Sequence, residues 1–213
     1  MSATVVARPL RSKRLLDLVI AVPTLVVLSP VFALAGVLVK ATSKGPILFR
    51  QERIGWRGDP FSMLKFRTMV LNDDDTALRE INRQEITGER SVGEGGSFKL
   101  QNDARITRVG GWLRATSLDE LPQLVNVARG QMSLVGPRPA LAWEVELFPP
   151  EYRCRTDVLP GITGLWQVSG RSRLSMLDML RLDTEYRDHQ SLALDLRILL
   201  RTLPAIIRGD GSR

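Results

Sequence analysis

The sequence predicts a mostly helical α+β protein in which an N-terminal membrane-seeking helix precedes a small β-hairpin and a soluble, largely helical part. Three observations carry this reading. An apolar stretch, LLDLVIAVPTLVVLSPVFALAGVLV, runs from Leu15 to Val39 with Asp17, Thr24 and Ser29 as its only clearly polar positions. Two runs, PILFRQERIG and FSMLKFRTM, flank the turn-rich connector WRGDP and read as paired strands. Beyond them, apolar residues recur at helical spacing between loops punctuated by proline and glycine. With 213 residues, 44% hydrophobic and 25% charged, the chain has enough for one core and an appendage, and a disordered or collagen-like chain is excluded.

The apolar stretch comes first. As one continuous helix it would rise ~38 Å, enough to cross a ~30 Å hydrocarbon layer. Two features argue against a plain span. Arg8, Arg11, Lys13 and Arg14 precede it while Lys40 and Lys44 follow, so both flanks ask for the cytoplasmic side. Near its middle, Ser29 is followed by Pro30, which lacks a backbone donor and favours a kink or break. A re-entrant helix that breaks there and leaves on the side of entry meets both observations; a proline-kinked span is the alternative. A cleaved signal peptide fits poorly, because the apolar run exceeds the usual ~7 to 15 residues. Residues 1–44 carry +5 of the net +7, so the basicity is juxtamembrane and suits anionic headgroups. The remaining +2 is too little for a nucleic-acid-binding face.

After the hairpin, residues 72–96 are polar: a triple acid at Asp73 to Asp75, an exposed helix through ALREINRQE and the glycine-rich GERSVGEGGS, together a mobile insertion. The Arg57-Gly58-Asp59 tripeptide, which recurs as Arg208-Gly209-Asp210, is better explained as turn chemistry than as an adhesion motif. RITRVGGWLRATSLDELPQLVNVARG has helical spacing on both sides of Ser117, and SLVGPRP and VLPGITGLWQVSGR read as loops of the kind that carry sites. The tail from Met176 to Ile207 reads as helix. Its last part, LALDLRILLRTLPAII, with Arg197 and Arg201 four apart, suits a helix lying on a membrane or one packed on the core.

The single Cys154 excludes a disulfide framework, and with one histidine, His189, no Cys/His zinc site can be built. No GxxxxGK, GxSxG or HExxH occurs, so the usual signatures of nucleotide hydrolases, serine hydrolases and zinc proteases are absent. The adjacent acids Asp119 and Glu120 sit among apolar neighbours and suit a nucleophile, base or metal ligand. The competing reading is a helix capping box, Ser117 with Glu120 three residues on, although Pro122 would then break an early helix bond. Lys65, Arg114 and Arg138, the last between Pro137 and Pro139, are ordinary surface charges singly. Taken together they suit phosphate binding, and with the acids they suggest Mg²⁺-assisted phosphoryl transfer. In GITGLWQVSGR the glycines allow close backbone approach and Trp166, Gln167 and Arg171 could meet a base or sugar; a buried tryptophan in a tight turn fits equally.

The segments KRLLDLVIAVPTLVVLSP, LKFRTM, TSLDELPQLVNV, MSLVGPRP and PGITGLWQVSGR, in this order and spacing, resemble the bacterial sugar transferase family, the monotopic phosphoglycosyl transferases, from about Lys13 to Gly209. The resemblance implies an anchor over residues 1–44, re-entrant with its break at Ser29 and Pro30. It also implies a cytoplasmic catalytic domain over 45–213 with amphipathic interfacial helices, on the bacterial inner membrane. It implies transfer of a hexose 1-phosphate from a UDP-sugar to undecaprenyl phosphate with release of UMP, at the start of surface-glycan assembly. It makes Asp119 the nucleophile, forming a covalent phosphosugar at the Mg²⁺ site, and Glu120 its acidic partner. Lys65, Arg114 and Arg138 become phosphate-binding, and Trp166, Gln167 and Arg171 possible donor contacts. The expected partners are the UDP-sugar, undecaprenyl phosphate and membrane lipids, with no nucleic acid. The loops look more like those of larger exopolysaccharide transferases, which often carry further N-terminal membrane segments, whereas this chain resembles the short form. The expected sugar is therefore glucose or galactose, with an N-acetylated amino sugar open. The alternative is an inactive membrane-tethered scaffold or regulator of the same fold.

Overall fold

The computed structural model describes residues 11–70, 76–87, 105–170 and 174–207. The triple acid at Asp73 to Asp75, the GERSVGEGGS segment, Arg171 and the second RGD tripeptide lie outside these residues.

Helix α1 (Arg11–Val27) gives way at Leu28 to α2 (Ser29–Thr42), and the two are bent by 61°. The break has a local cause. Pro30 has no N–H to offer the Val26 carbonyl four residues back, and the Ser29 hydroxyl donates to that carbonyl instead at 2.8 Å. Among the described residues no single helix is long and apolar enough to cross a membrane. Leu15, Val19, Val22 and Val26 form an exposed apolar stripe along α1, continued on α2 by Leu34 and Val37.

The hairpin forms as expected. Strands β1 (Leu48–Ile54) and β2 (Pro60–Phe66) pair antiparallel from Leu48 opposite Phe66 to Ile54 opposite Pro60, around a 3₁₀ turn at Trp56–Gly58. Helix α3 (Thr76–Ile86) covers the predicted ALREINRQE helix, but it is not wholly exposed: Glu85 is buried, and Arg79 stacks on Trp143. Helices α4 (Arg108–Ala115) and α5 (Gln123–Ala128) flank Ser117. Next come β3 (Ser133–Val135), α6 (Ala142–Leu147), a 3₁₀ segment (Pro150–Asp157), β4 (Gly161–Thr163) and α7 (Leu165–Ser169). Helices α8 (Met176–Asp188) and α9 (Leu192–Ile207) are the last elements among the described residues.

A second sheet corrects the sequence reading. β3 and β4, both read as loops, pair in parallel, Ser133 with Gly161 and Val135 with Thr163. Strands of three residues are too short to show alternation. Their closeness explains the glycines: a Cβ on Gly161 would lie 2.1 Å from the Gly136 nitrogen, and one on Gly164 would lie 2.5 Å from the Gly136 oxygen. The backbone approached here is the chain's own.

The main core gathers Ala21 of α1, Phe61 and Met63 of β2, Leu124 and Val127 of α5, Leu134 and Val135 of β3, Tyr186 of α8 and Ile198 of α9. Its polar edge corrects the view that the N-terminal cations serve only the membrane surface. Lys13, 2% exposed, donates to Asp195 Oδ2 at 2.7 Å, to the Tyr186 hydroxyl at 3.1 Å and to the Val135 carbonyl at 2.9 Å. One turn on, buried Asp17 accepts from the Ser133 hydroxyl and the Leu134 amide, both at 2.9 Å. Arg14 donates to the Val127 and Ala128 carbonyls, where α5 ends and its last carbonyls lack intrahelical donors. The start of α1 is therefore seated in the globular part. Helix α9 packs on the core by one face, where Asp195 and Ile198 are buried, while Leu192, Leu196, Leu200 and Leu203 form an exposed stripe.

Candidate active site

The acidic pair sits on a 3₁₀ turn, Leu118–Glu120, between α4 and α5. Helix α4 stops where the Thr116 hydroxyl donates to the Trp112 and Leu113 carbonyls, and Ser117 then takes a left-handed conformation at φ 56°. That conformation is uncommon for a residue with a Cβ and costs about 1 to 3 kcal/mol. It turns the chain so that Leu118 packs with Phe66 and Leu113 while Asp119 is buried. The capping-box reading fails here: Ser117 makes no side-chain cap bond, and Glu120 points elsewhere. Pro122 instead stands just ahead of α5, where its missing N–H costs nothing.

Glu120 accepts from Lys65 Nζ at 2.9 Å and from Arg138 Nη1 at 3.4 Å. Burial disfavours its charge, but the two cations outweigh burial and hold its pKa at about 2. The Lys65 pKa is lowered, by burial first and by Arg138 after it, against the pull of Glu120. Asp119 behaves oppositely. Its pKa is raised by burial and by the neighbouring Glu120 charge, against the opposing fields of Lys65, Arg114 and Arg138. No hydrogen bond or ion pair holds its carboxylate among the described residues. Two adjacent acids thus differ by environment: Glu120 is neutralised by protein cations, and Asp119 is left open toward whatever enters.

Each cation comes from a different element. Lys65 lies on β2, whose free edge is registered by the buried Asn126: its side-chain oxygen accepts from the Leu64 amide at 3.0 Å and its nitrogen donates to the Ser62 carbonyl at 2.8 Å. Arg114 lies in the last turn of α4, which sits so close to the hairpin's exit that a Cβ on Gly110 would fall 1.9 Å from the Thr68 oxygen. Arg138 follows β3, and its carbonyl accepts from Arg155 at 2.7 Å. Asn126 and Arg155 were not singled out from sequence. A single asparagine in a short helix and a lone arginine in a segment without periodicity carry no sequence signal of these long-range contacts.

Trp166 and Gln167 lie on α7, which packs against α8 and α9; the Gln167 amide donates back to the Ile162 carbonyl at 3.2 Å. They belong to an element other than those around Asp119. Among the described residues no group of three or more acid, histidine or cysteine side chains forms a metal cluster. Of the acidic pair, Asp119 is the carboxylate not taken up by Lys65 and Arg138, and it is the one that would hold a Mg²⁺ ion, with substrate oxygens and water as further ligands.

A buried carboxylate in the positive field of Lys65, Arg114 and Arg138 thus stands on a chain with a broken N-terminal helix pair. The bacterial sugar transferase family matches residues 8–209. The chain belongs to the bacterial sugar transferase family. It is 43% identical over 201 residues to the exopolysaccharide production protein ExoY of Sinorhizobium fredii, covering 94% of this chain and 88% of that one. It is 40% identical over 208 residues to the UDP-glucose:undecaprenyl-phosphate glucose-1-phosphate transferase of Caulobacter vibrioides, covering 94% and 71%. With the undecaprenyl-phosphate galactose phosphotransferase of Salmonella typhimurium it shares 38% identity over 200 residues, covering 94% of this chain and 41% of the relative. As a bacterial sugar transferase it is an enzyme of the phosphoglycosyl transferase class.

Proposed function

We propose that this bacterial sugar transferase moves glucose 1-phosphate or galactose 1-phosphate from a UDP-sugar to undecaprenyl phosphate, through a covalent intermediate on Asp119. The observation that carries this reading is the asymmetry of the acidic pair. Glu120 is spent on Lys65 and Arg138, whereas Asp119 is buried, has no hydrogen-bond or ion-pair partner among the described residues, and lies in the positive field of Lys65, Arg114 and Arg138. A carboxylate nucleophile splits one transfer between a soluble donor and a lipid acceptor into two displacements at a single site.

In the first, an Asp119 oxygen attacks the sugar-bearing phosphorus, the bond from that phosphorus to the UMP oxygen breaks, and UMP leaves with the electron pair. In the second, a phosphate oxygen of undecaprenyl phosphate attacks the same phosphorus and Asp119 leaves as a carboxylate. No proton need move. Lys65, Arg114 and Arg138 bind and orient the donor's phosphates and offset the charge that gathers on the equatorial oxygens. Asp119 would also hold Mg²⁺, which supplies further charge neutralisation at the pyrophosphate when bound.

The exposed leucine and valine stripes of α1, α2 and α9 support a placement in which the bent pair dips into the cytoplasmic leaflet of the inner membrane and α9 lies against it. The site then stands at headgroup level, where a polyprenyl phosphate presents its charge. The test is UMP release by the detergent-solubilised chain from a panel of UDP-sugars, with and without undecaprenyl phosphate, followed by mass analysis of the Asp119 peptide. A stoichiometric burst of UMP without acceptor, with a hexose-phosphate adduct on Asp119, is expected. UMP formed only when both substrates are present would overturn the covalent route, and no UMP from any donor would overturn the function.

A further inference from the structure

Arg138 presents its guanidinium from an irregular loop, yet four successive carbonyls of that loop are each held from outside. Pro137 accepts from the Gly161 amide at 2.8 Å, Arg138 from the Arg155 guanidinium at 2.7 Å, Pro139 from Arg53 at 3.2 Å and Ala140 from the Ile54 amide at 2.8 Å. Arg155 is the unusual member. It is 6% exposed, from the 3₁₀ segment, and faces Asp183 of α8, which is 1% exposed. Arg155 Nε donates to Asp183 Oδ2 at 3.0 Å, Nη2 donates to the same oxygen and to the Arg138 carbonyl, and the guanidinium lies 5.4 Å from the centroid of the Phe148 ring.

A fully buried ion pair loses most of its Coulomb gain to desolvation, and apolar residues of equal volume commonly stabilise as well or better. Stability alone therefore gives a weak reason for placing this pair under the loop. Its geometry gives a stronger one, because besides Asp183 the guanidinium reaches the carbonyl of the residue whose side chain meets Glu120.

We propose that Arg155, oriented by Asp183, is a positioning residue for the transfer reaction: it fixes the backbone of Arg138 so that the Arg138 guanidinium stays at Glu120 and at the donor's phosphate. Neither Arg155 nor Asp183 touches the reacting atoms. This rests on the proposed function, which supplies the phosphate that Arg138 binds. Small displacements of a charge-stabilising group cost up to roughly a hundredfold in rate, so the effect is measurable.

The experiment uses the full chain in detergent and compares Arg155→Gln, Arg155→Lys, Arg138→Ala and the Arg138→Ala/Arg155→Gln pair, with Asp183→Asn in reserve should Arg155→Gln fail to fold. Arg155→Gln is expected to lower kcat/KM for the UDP-sugar roughly ten- to a hundredfold in the wild type but less than about threefold once Arg138 is alanine. Arg155→Lys keeps the ion pair and restores part of the loss. Hydrogen exchange is expected to quicken in the loop at residues 136–142 while the hairpin at 48–66 stays protected. Equal fold losses in both backgrounds, or exchange that quickens everywhere or not in the loop, would overturn the assignment. If the wild type releases no UMP from any donor, the proposed reaction falls. The exchange comparison then still decides the clamp, loop-confined quickening supporting it and an unchanged loop refuting it.

Discussion

Glu120→Gln removes one charge and keeps the shape, so it tests the division of labour in the acidic pair. Lys65 at 2.9 Å and Arg138 at 3.4 Å hold the Glu120 carboxyl at about 2, against an ordinary 4.5. At about 1.36 kcal/mol per pH unit, that difference corresponds to about 3 kcal/mol favouring the ionised, folded form. The pKa is depressed on folding, so this stability is fully present above the unfolded value near 4.5 and is lost as the pH falls toward 2. Glutamine still accepts one hydrogen bond, so the loss at pH 7 should be about 1 to 3 kcal/mol, or roughly 3 to 10 °C in Tm for a chain of this size. Tryptophan-fluorescence melting in detergent at a series of pH values reads it, and the gap between variant and wild type should narrow below about pH 4.5. The same substitution removes a charge that raises the Asp119 pKa, so the acid limb of UMP release should move to lower pH. A variant as stable as the wild type at pH 7, or an acid limb displaced to higher pH, would refute the counter-ion role given to Glu120.

Asp119→Asn should abolish UMP release while leaving Tm unchanged or raised, because it replaces a buried carboxylate that has no hydrogen-bond partner among the described residues; a melting loss of several degrees would show a structural role instead. In the wild type, the acid limb of kcat/KM should lie above the ordinary aspartate range, since burial and Glu120 raise the nucleophile's pKa and activity is lost as the pH falls through it; steady-state UMP assays from pH 4 to 8 measure this. Lys13→Met should cost about 3 to 5 kcal/mol by stranding Asp195, and adding Asp195→Asn should recover part of it, as urea unfolding of the micelle-bound protein would record. With Cys154 replaced by serine, new cysteines at residues 11 and 44 should both react with a membrane-impermeant maleimide only after the cells are opened, and exclusive labelling of one flank from outside would rule out re-entry.

What the sequence made legible follows the range over which each signal acts. Local chemistry was readable: Pro30 with Ser29 marks the break between α1 and α2, the WRGDP turn places the hairpin, and helical spacing places α4 and α5 about Ser117. The gathering of Lys65, Arg114 and Arg138 about the acids was suggested by their chemistry and by family resemblance, not by spacing, for they arise 49 and 24 residues apart on three elements. Pairings that depend on partners far along the chain were hidden. β3 and β4 are three residues each and carry no alternation, and Lys13 looks like any juxtamembrane lysine until Asp195 is brought to it across 182 residues. The capping box was a true local pattern overruled by a distant one, since Glu120 gains more from two cations than from one backbone amide.

The Lys13 network also ties the proposed membrane-dipping helix to the proposed phosphate site. The Val135 carbonyl accepts from Lys13, the Tyr186 hydroxyl donates to Asp195 at 2.6 Å, Asp17 holds the Ser133 hydroxyl and the Leu134 amide, and three residues after Val135 comes Arg138. The strand that leads into the Arg138 loop is thus fastened directly to the first turns of α1. From Asp17 to the break at Leu28, α1 stays helical through Pro23, so the distance between the fastened strand and the bend is set by helical rise rather than by a flexible linker. Removing one residue from that interval would shorten it by about 1.5 Å and turn the exposed valine stripe by about 100°. On the proposed placement, such a deletion shifts the site relative to the headgroups and rotates apolar side chains out of the lipid without altering any residue around Asp119. It should therefore impair the second displacement, to the lipid acceptor, while the UMP burst from donor alone persists; equal loss of both steps would show that α1 supports the site only by holding the fold together.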